Sequence, residues 1–391
     1  MVARQLYNEA PFCFMGQTVP LDYITLFKKY QEELSHWVPL KSCPLKKSTV
    51  IDFFCGCGGT SLGFAVNPFF EIALGIDIKK IALKSFKTNF GCDTICKDIR
   101  KIDDLDIAHI RKILAKNDNC PTVLIGCAPC QGFSAHRKKD GEKPEDQRNS
   151  LIKTFAQIAI TISPDFIVME NVQEVLNGKY RSHYEEAKGI FLSAGYYVTQ
   201  QVYNAASFGV PQARIRAVIV ASKKKFELPE PFLRPSEYLT VRDAIGSLPK
   251  ANDSSSGDPY HFSSKHKKST IDVISKVPKD GGSRPLHVGP ACLDKVKGFY
   301  DVYGRLFWDK PAITITKTSR NPASGRFSHP EENRGLTLRE AARLQSFPDS
   351  FIFEGGTSEK YEQVGEAVPP LLSLAIATKI YMDLNKDCYE L

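Results

Sequence analysis

No apolar run in this 391-residue chain reaches the roughly 18 residues that a membrane-spanning helix needs, so no membrane partner is expected. The opening residues, MVARQLYNEAPF, lack a charged segment followed by an apolar core, so no secretory leader is expected. Internal repeats and long low-complexity tracts are also missing. Charge of one sign is scarce: 52 Lys+Arg against 44 Asp+Glu leave a net charge of +8. That permits a polyanionic partner without requiring one. What is present is ordinary for a folded chain, with 42% hydrophobic, 10% aromatic and 25% charged residues, which excludes a disordered one. The 11 cysteines are odd in number, and several sit inside apolar strand-like runs. A reducing compartment is expected, rather than a disulfide framework. Three close pairs stand out: Cys55/Cys57, Cys92/Cys96 and Cys127/Cys130. They do not assemble into a zinc set, because Cys127/Cys130 needs two further ligands and the three-residue gap of Cys92/Cys96 is a poor match.

Length allows one large domain with a lobe, or two ordinary domains. Before residue 48, Tyr23, Ile24, Phe27, Tyr30, Leu34 and Trp37 recur at three- and four-residue spacing. That predicts an amphipathic helix ending before Pro39 and docked on the main domain. From residue 48 the rhythm becomes strand–turn–helix. Strands are expected at 49–54, 71–77, 94–96, 121–127, 165–170, 196–203 and 214–222. Helices are expected from residue 60, then through residue 90, at 150–162 and at 183–194. Alternation of this kind predicts an open, mainly parallel α/β sheet, with ligands beyond the carboxyl ends of its strands. Residues 226–312, rich in Pro, Ser, Lys and short β-like pieces, read as a second, less regular lobe. Helices return at 337–345 and 368–381.

Each candidate motif falls at a strand end. Ile51-Asp52-Phe53-Phe54-Cys55-Gly56-Cys57-Gly58-Gly59 runs a strand into a glycine turn, where a ligand can approach the backbone closely. Asp77, about 20 residues on, is placed to accept hydrogen bonds from ribose hydroxyls. Asp98 ends the next strand, where it can accept from an adenine amino group. A nucleoside-containing cofactor is favoured, and the G-x-G-G form points away from a dinucleotide. Gly126-Cys127-Ala128-Pro129-Cys130-Gln131-Gly132-Phe133-Ser134 then places Cys130 on a loop over the same edge, as a nucleophile candidate. Cys127-Ala128-Pro129-Cys130 is also formally a C-x-x-C redox pair or zinc half-site. Glu170, in Met169-Glu170-Asn171-Val172, ends the fifth strand facing that loop. Gln212-Ala213-Arg214-Ile215-Arg216 opens a later strand, with both arginines expected on one face by period 2.

The ordered set resembles the DNA cytosine-5 methyltransferases over residues 49 to about 380. The resemblance implies a Rossmann-like, S-adenosylmethionine-dependent methyltransferase sheet with a smaller, irregular, β-rich target-recognition lobe. It assigns Phe54, Gly56, Gly58, Gly59, Asp77, Ile78, Asp98, Ile99, Pro129, Leu151, Glu366, Ala367 and Val368 to S-adenosylmethionine. Pro129-Cys130-Gln131 matches the nucleophile loop, and Arg148-Asn149-Ser150-Leu151 the next helix start. Glu170-Asn171-Val172 and Gln212–Arg216 match two further motifs, with Cys130, Glu170, Arg214 and Arg216 implied as catalytic. The stretch from Leu338 to Pro348 matches the late helix motif, and Gly365-Glu366-Ala367-Val368-Pro369-Pro370 the last. Gln131, Ser134, Lys265, Lys267 and Lys268 are expected to contact double-stranded DNA. The expected division is 1–47, an N-terminal helical extension; 48–225, catalytic and cofactor-binding; 226–325, the target-recognition lobe; and 326–391, a segment completing the catalytic domain. A monomer without metal is expected. It would be cytoplasmic and nucleoid-associated in a bacterium, or nuclear in a eukaryote, and the family allows a restriction endonuclease counterpart in the same system.

Three departures stand out. Glu366 occupies a position where the family usually has Asn, bringing a negative charge beside the cofactor's methionine end. Cys55 and Cys57 stand where small or apolar residues are usual, a harmless change because free Cys packs as a small hydrophobe. Residues 1–47 have no counterpart in the minimal pattern. Other readings compete: an RNA cytosine-5 methyltransferase, whose Cys-Phe-Thr signature is not found; a non-catalytic DNA-binding relative, disfavoured by intact Cys130, Glu170 and Arg216; and a C-x-x-C oxidoreductase.

Overall fold

The computed structural model describes residues 23–38, 48–117, 120–129, 150–178, 181–252, 257–295 and 301–385. Its elements run α1 (Tyr23–Ser35), β1 (Ser48–Phe53), α2 (Gly59–Ala65), β2 (Phe70–Asp77), α3 (Lys80–Phe90) and β3 (Asp93–Cys96). They continue with α4 (Asp104–Leu114), β4 (Thr122–Gly126), α5 (Leu151–Ile162), β5 (Phe166–Asn171), α6 (Arg181–Ser193), β6 (Tyr197–Asn204) and β7 (Ile215–Ser222). Short helices α7 (Val241–Ile245), α8 (Lys268–Ser275) and α9 (Cys292–Lys295) precede α10 (Leu338–Leu344), α11 (Thr357–Glu366) and α12 (Pro370–Leu384). No single helix among the described residues is long and apolar enough to cross a membrane.

The seven strands form one sheet in the order β3-β2-β1-β4-β5-β7-β6. The first five run parallel, and β7 is antiparallel to both its neighbours. The chain leaves β1 toward one edge through β2 and β3, then returns to β4 on the other side. The β1/β4 boundary is therefore the switch point, where an open α/β sheet leaves a crevice at its strand ends. Strand periodicity sorts the core into two layers. Val50, Val123, Ile125, Phe166, Val168, Val218 and Val220 pack toward α1, α2, α3 and α12. Ile51, Phe53, Leu124, Ile167, Met169, Ala217 and Ile219 pack toward α4, α5 and α6. All six residues of β1 are buried, as a central strand covered on both faces requires.

The N-terminal helix docks as expected. Leu26, Phe27, Tyr30 and Leu34 are its buried stripe. Phe27 and Phe232 stack with ring centroids 4.9 Å apart, and Tyr23 Oη donates to the Ala375 carbonyl of α12 at 3.4 Å. Helix α4 was not expected, although its signals are in the sequence. Asp103 caps it, the Asp106 carboxylate returns the bond to the Asp103 N–H, and Ile107, Ile110 and Ile113 form the buried stripe. Helix α11 was missed as well.

Among the described residues between 226 and 335, the short β-like pieces expected at 226–312 do not build strands. The β character here is confined to isolated bridges such as Arg305↔Ser328 and Ser328↔Gly335. Frequent prolines remove the N–H donors a ladder needs. Buried arginines bond the backbone in its place. Arg305, 1% exposed, directs its guanidinium to the carbonyls of Val277, Ile274, His329 and Glu332 and to Asn333 Oδ1, at 2.5–3.1 Å. These five bonds match the five N–H donors of the group. Arg326 likewise reaches the carbonyls of Gly281, Gly282 and Arg305.

Arg305→Met is expected to leave these buried carbonyls without their donor, at a cost of about 1–3 kcal/mol for each one that water cannot reach. Hydrogen exchange should show residues 274–333 losing protection while β1, β4 and β5 keep theirs. Unchanged protection in 274–333 would remove Arg305 as the organiser of this region.

Candidate functional site

The crevice begins where β1 ends. Phe54 takes a left-handed backbone (φ 58°), followed by Gly56 (φ 53°) and Gly58 (φ 101°), so the chain reverses within a few residues. A Cβ placed on Gly56 would meet nothing within 4 Å, so this part of the turn borders open space. Gly59 is the opposite case: a Cβ there would stand 2.5 Å from the Val368 carbonyl and 2.9 Å from the Ala367 Cβ. Only glycine lets the C-terminal segment close on the turn.

Asp77, at the end of β2, holds the turn from the side. Its Oδ2 accepts from the Gly56 N–H and its Oδ1 from the Lys79 N–H, each at 2.8 Å. A carboxylate has about four lone-pair sites, so acceptor capacity remains for a ligand. Next to it, Ile78 is 64% exposed, an apolar surface at the rim. Asp98, expected to end the third strand, lies two residues beyond β3 and caps the short turn that follows, and Arg100 Nη2 lies 2.6 Å from its Oδ2. That hydrogen bond, against the opposing effect of burial, holds the Asp98 pKa below the usual carboxylate value. Ile99 and Leu151 are buried, packing in the layer beneath. Open space beside Gly56, the Asp77 carboxylate as acceptor and the exposed apolar Ile78 together fit a nucleoside.

Below the turn, Asp52 is almost completely buried on β1 and accepts from Ser61 Oγ at 2.6 Å. Burial raises its pKa, the Ser61 hydrogen bond lowers it and the Asp77 charge raises it, leaving it at about 7.

The end of β4 approaches the same crevice. The Cys127 Sγ lies 3.6 Å from Thr60 Oγ1. Burial, and then the Glu170 charge, push the Cys127 thiol well above the usual range, which keeps it protonated and inert. Pro129 is the last described residue before the loop. Cys130, Gln131, Ser134, Arg148 and Asn149 lie outside the described residues. Asn171 was not singled out as a site residue, yet its Nδ2 donates to the Ala128 carbonyl at 3.1 Å, fixing the chain two residues ahead of Cys130.

Glu170 and Arg216 meet as an ion pair, Nε to Oε1 at 2.8 Å, with both side chains only 12% exposed. Arg214 behaves differently. It precedes β7, so strand alternation does not govern it, and it does not share the Arg216 partner. Its guanidinium is buried and donates to the Ile315 carbonyl at 3.1 Å and the Ala367 carbonyl at 3.0 Å. In the same region, Gln212 Nε2 donates to Gln345 Oε1 at 2.7 Å and Gln212 Oε1 accepts from the Ile315 N–H at 2.8 Å. Gln345 Nε2 in turn donates to the Val364 carbonyl at 2.6 Å. Gln212, Arg214 and Gln345 thus clip the C-terminal segment onto the sheet.

Glu366 ends α11. Its Oε2 lies 2.5 Å from Lys79 Nζ, which also reaches Glu362 at 2.9 Å, and Lys317 Nζ is 3.9 Å from Oε1. Burial works against the charged form of Lys79, but these carboxylates outweigh it and hold its pKa above the usual lysine value. Lys265, Lys267 and Lys268 are exposed at and before the start of α8. In the late motif, Glu340 is buried and takes a bidentate bond from Arg334 at 2.7 and 2.8 Å.

Over residues 48–382 the sequence matches the family described as C-5 cytosine-specific DNA methylase. The Type II methyltransferase M1.HphI of Haemophilus parahaemolyticus is 38% identical over 338 residues, spanning 85% of this chain and 86% of that protein. The Type II methyltransferase M.Eco47II of Escherichia coli is 34% identical over 357 residues, spanning 86% and 80%. The fold is shared with a protein encoded within an E. coli prophage, at a TM-score of 0.67 and 23% identity over 87% of this chain and 100% of that one. It is shared also with the S. pombe Dnmt2 methyltransferase, at a TM-score of 0.56 and 18% identity over 87% and 100%.

Asp52 generates a pH prediction. A carboxyl whose pKa is about 7 when folded and about 3.9 when unfolded holds its proton more tightly in the folded state. Its contribution to stability is therefore lost as pH rises from about 4 through about 7, by at most on the order of 4 kcal/mol. Asp52→Asn should be more favourable, relative to the parent, at pH 8 than at pH 5 in urea unfolding. A difference between the two proteins that is the same at both pH values would contradict the assigned burial cost.

Proposed function

Because the chain belongs to the C-5 cytosine-specific DNA methylase family, we propose that it methylates C5 of cytosine within a specific DNA sequence through a covalent Cys130–C6 adduct. The observation that carries this reading is the half-buried Glu170–Arg216 pair beside the end of β4, where Asn171 anchors the approach to Cys130. The target base leaves the duplex stack before chemistry, because its C5 and C6 are otherwise inaccessible. The Cys130 thiolate adds to C6, forming the S–C6 bond and making C5 enamine-like. Glu170 shares a proton with N3, stabilising the charge that develops on the ring. Arg216 keeps Glu170 oriented and donates to the cytosine carbonyl. S-adenosylmethionine, when bound, supplies the methyl group as an electrophile. Loss of the C5 proton to water then restores the double bond and expels the Cys130 thiolate. Cys127, held as a thiol, takes no part.

For the cofactor, Asp77 accepts from the ribose hydroxyls and Asp98 from the adenine amino group, with Ile78 against the ring. Phe54, Gly56, Gly58 and Gly59 form the turn, while Ile99, Pro129 and Leu151 line its floor and far side. Glu366, Ala367 and Val368 close the methionine end. Arg214 acts through Ala367, as a positioning residue rather than at the base. The proposed division keeps 1–47 as an extension, 48–225 with 326–391 as the catalytic body, and 226–325 as the target-recognition lobe. Lys265, Lys267 and Lys268 hold phosphates, and Gln131 and Ser134 contact the strand of the flipped nucleotide. Type II relatives support a role in restriction–modification, with an endonuclease counterpart acting on the same DNA sequence.

Cys130→Ala should lower methylation by at least about a thousandfold, the scale on which removal of a nucleophile acts. Cys127→Ala should stay within about tenfold of the parent. Bisulfite sequencing of DNA from expressing cells reads both, and cytosine methylation by the Cys130 variant would remove it as nucleophile.

Binding to a short duplex should weaken steeply with salt. Lys267→Ala should reduce the log–log slope by about one unit without changing which site is methylated. A slope equal to the parent's would take Lys267 out of the phosphate-contacting set.

A further inference from the structure

Glu366 stands where the family's last motif usually carries an uncharged asparagine, and the structure shows what surrounds that charge. The residue is followed directly by Ala367 and Val368, which close on Gly59 of the glycine turn. Its carboxylate and that of Asp77 both bear on the thiol of Cys57 within the same turn. S-adenosylmethionine carries an ammonium and a sulfonium as well as a carboxylate at its methionine end, so the cost of a misplaced Glu366 is local: a side chain turned into the crevice would occupy the ligand's space and stand against its carboxylate.

Lys79 is positioned to prevent that encounter. Its N–H bonds Asp77 Oδ1 at 2.8 Å, and Asp77 Oδ2 bonds the Gly56 N–H at 2.8 Å. The same residue's ammonium lies 2.5 Å from Glu366 Oε2. One short chain of bonds therefore runs from the glycine turn, through Asp77 and Lys79, to the C-terminal wall. Glu362, one helical turn before Glu366, gives the ammonium a second anchor at 2.9 Å, so its direction is set from two points. Lys317 Nζ, 3.9 Å from the other carboxylate oxygen, adds positive charge.

We infer that Lys79 is a positioning residue of the cofactor site: its ammonium holds the Glu366 carboxylate on the rim, away from the open space beside Gly56. The inference rests on reading that space as the S-adenosylmethionine site. Lys79, Glu362 and Glu366 are each about one-third exposed. Pairs at that exposure add little to folding stability, so the consequence falls on ligand binding and the variants should fold.

The test is calorimetric titration of the full chain with S-adenosylmethionine, with thermal unfolding as the control on folding. Lys79→Met should weaken binding about tenfold with little change in melting temperature, and Lys79→Arg should stay within about threefold of the parent. In a Glu366→Asn background the same Lys79→Met change should have no further effect. A simple brace would behave differently, since the brace is lost whether or not Glu366 is present. Parent-like affinity in Lys79→Met, or an equal loss in both backgrounds, would overturn the inference. A parent protein that binds no S-adenosylmethionine would overturn the cofactor reading itself, and the inference with it.

Discussion

Glu170 and Arg216 meet because one strand runs backwards. Glu170 lies at the carboxyl end of β5, and Arg216 is the second residue of β7. In a fully parallel sheet the start of β7 would lie at the opposite edge, a strand length away. With β7 antiparallel to β5, Asn171 faces Ala217 and Glu170 faces Val218, so the start of β7 borders the end of β5. Their pairing at 2.8 Å offsets part of the desolvation cost that either charge would carry alone at 12% exposure. The other proposed functional groups then follow from ordinary α/β geometry, since β1, β2, β3 and β4 deliver their ends to the same edge.

Bringing the C-terminal segment to that edge requires contacts across some 300 residues of chain. Gly59 admits Ala367 and Val368 at distances no side chain would tolerate. Arg214 and Gln345 hold the Ala367 and Val364 carbonyls; Gln212 joins Gln345 to the Ile315 N–H, and Arg214 bonds the Ile315 carbonyl itself. These groups are buried and hydrogen-bonded, so each is costly to remove. In the proposed reading, motif residues divide into those that face the crevice and those that assemble it. Arg214 and Arg216, two residues apart, fall on opposite sides of that division.

Much of this was legible in the sequence. The strand–turn–helix rhythm and the glycine turn located β1, and the spacing of Asp77 and Asp98 followed the strand–helix repeat. The family's motif order carried the reading to residue 380, and the family match over 48–382 supports it. The illegible parts share a cause: they depend on partners distant in sequence. Neither the carbonyls that bind Arg305 nor those that bind Arg214 can be read from local pattern. Without an alternating donor pattern, the lobe's short apolar pieces could not reveal that arginines, not strands, would bond its backbone. The charge on Glu366 was visible, but Lys79 lies 287 positions away. Helices α4 and α11 are exceptions: the capping box and isoleucine stripe of α4, and the Glu359 carboxylate that accepts from the Gly356 N–H at the start of α11, are local signals.

The central claim is that this enzyme of the cytosine-5 family works by transient attachment of Cys130 to the base, at the edge where Glu170 and Arg216 meet. Covalent trapping tests it most directly. A duplex containing the recognition sequence with 5-fluorocytosine at the target cannot lose the C5 substituent as a proton, so the adduct should persist. Incubation with S-adenosylmethionine followed by peptide mass spectrometry should place the nucleotide on the peptide containing Cys130, with the methyl group present. An adduct on Cys127 instead, or methylation of ordinary duplex with no adduct on the fluorinated one, would contradict it.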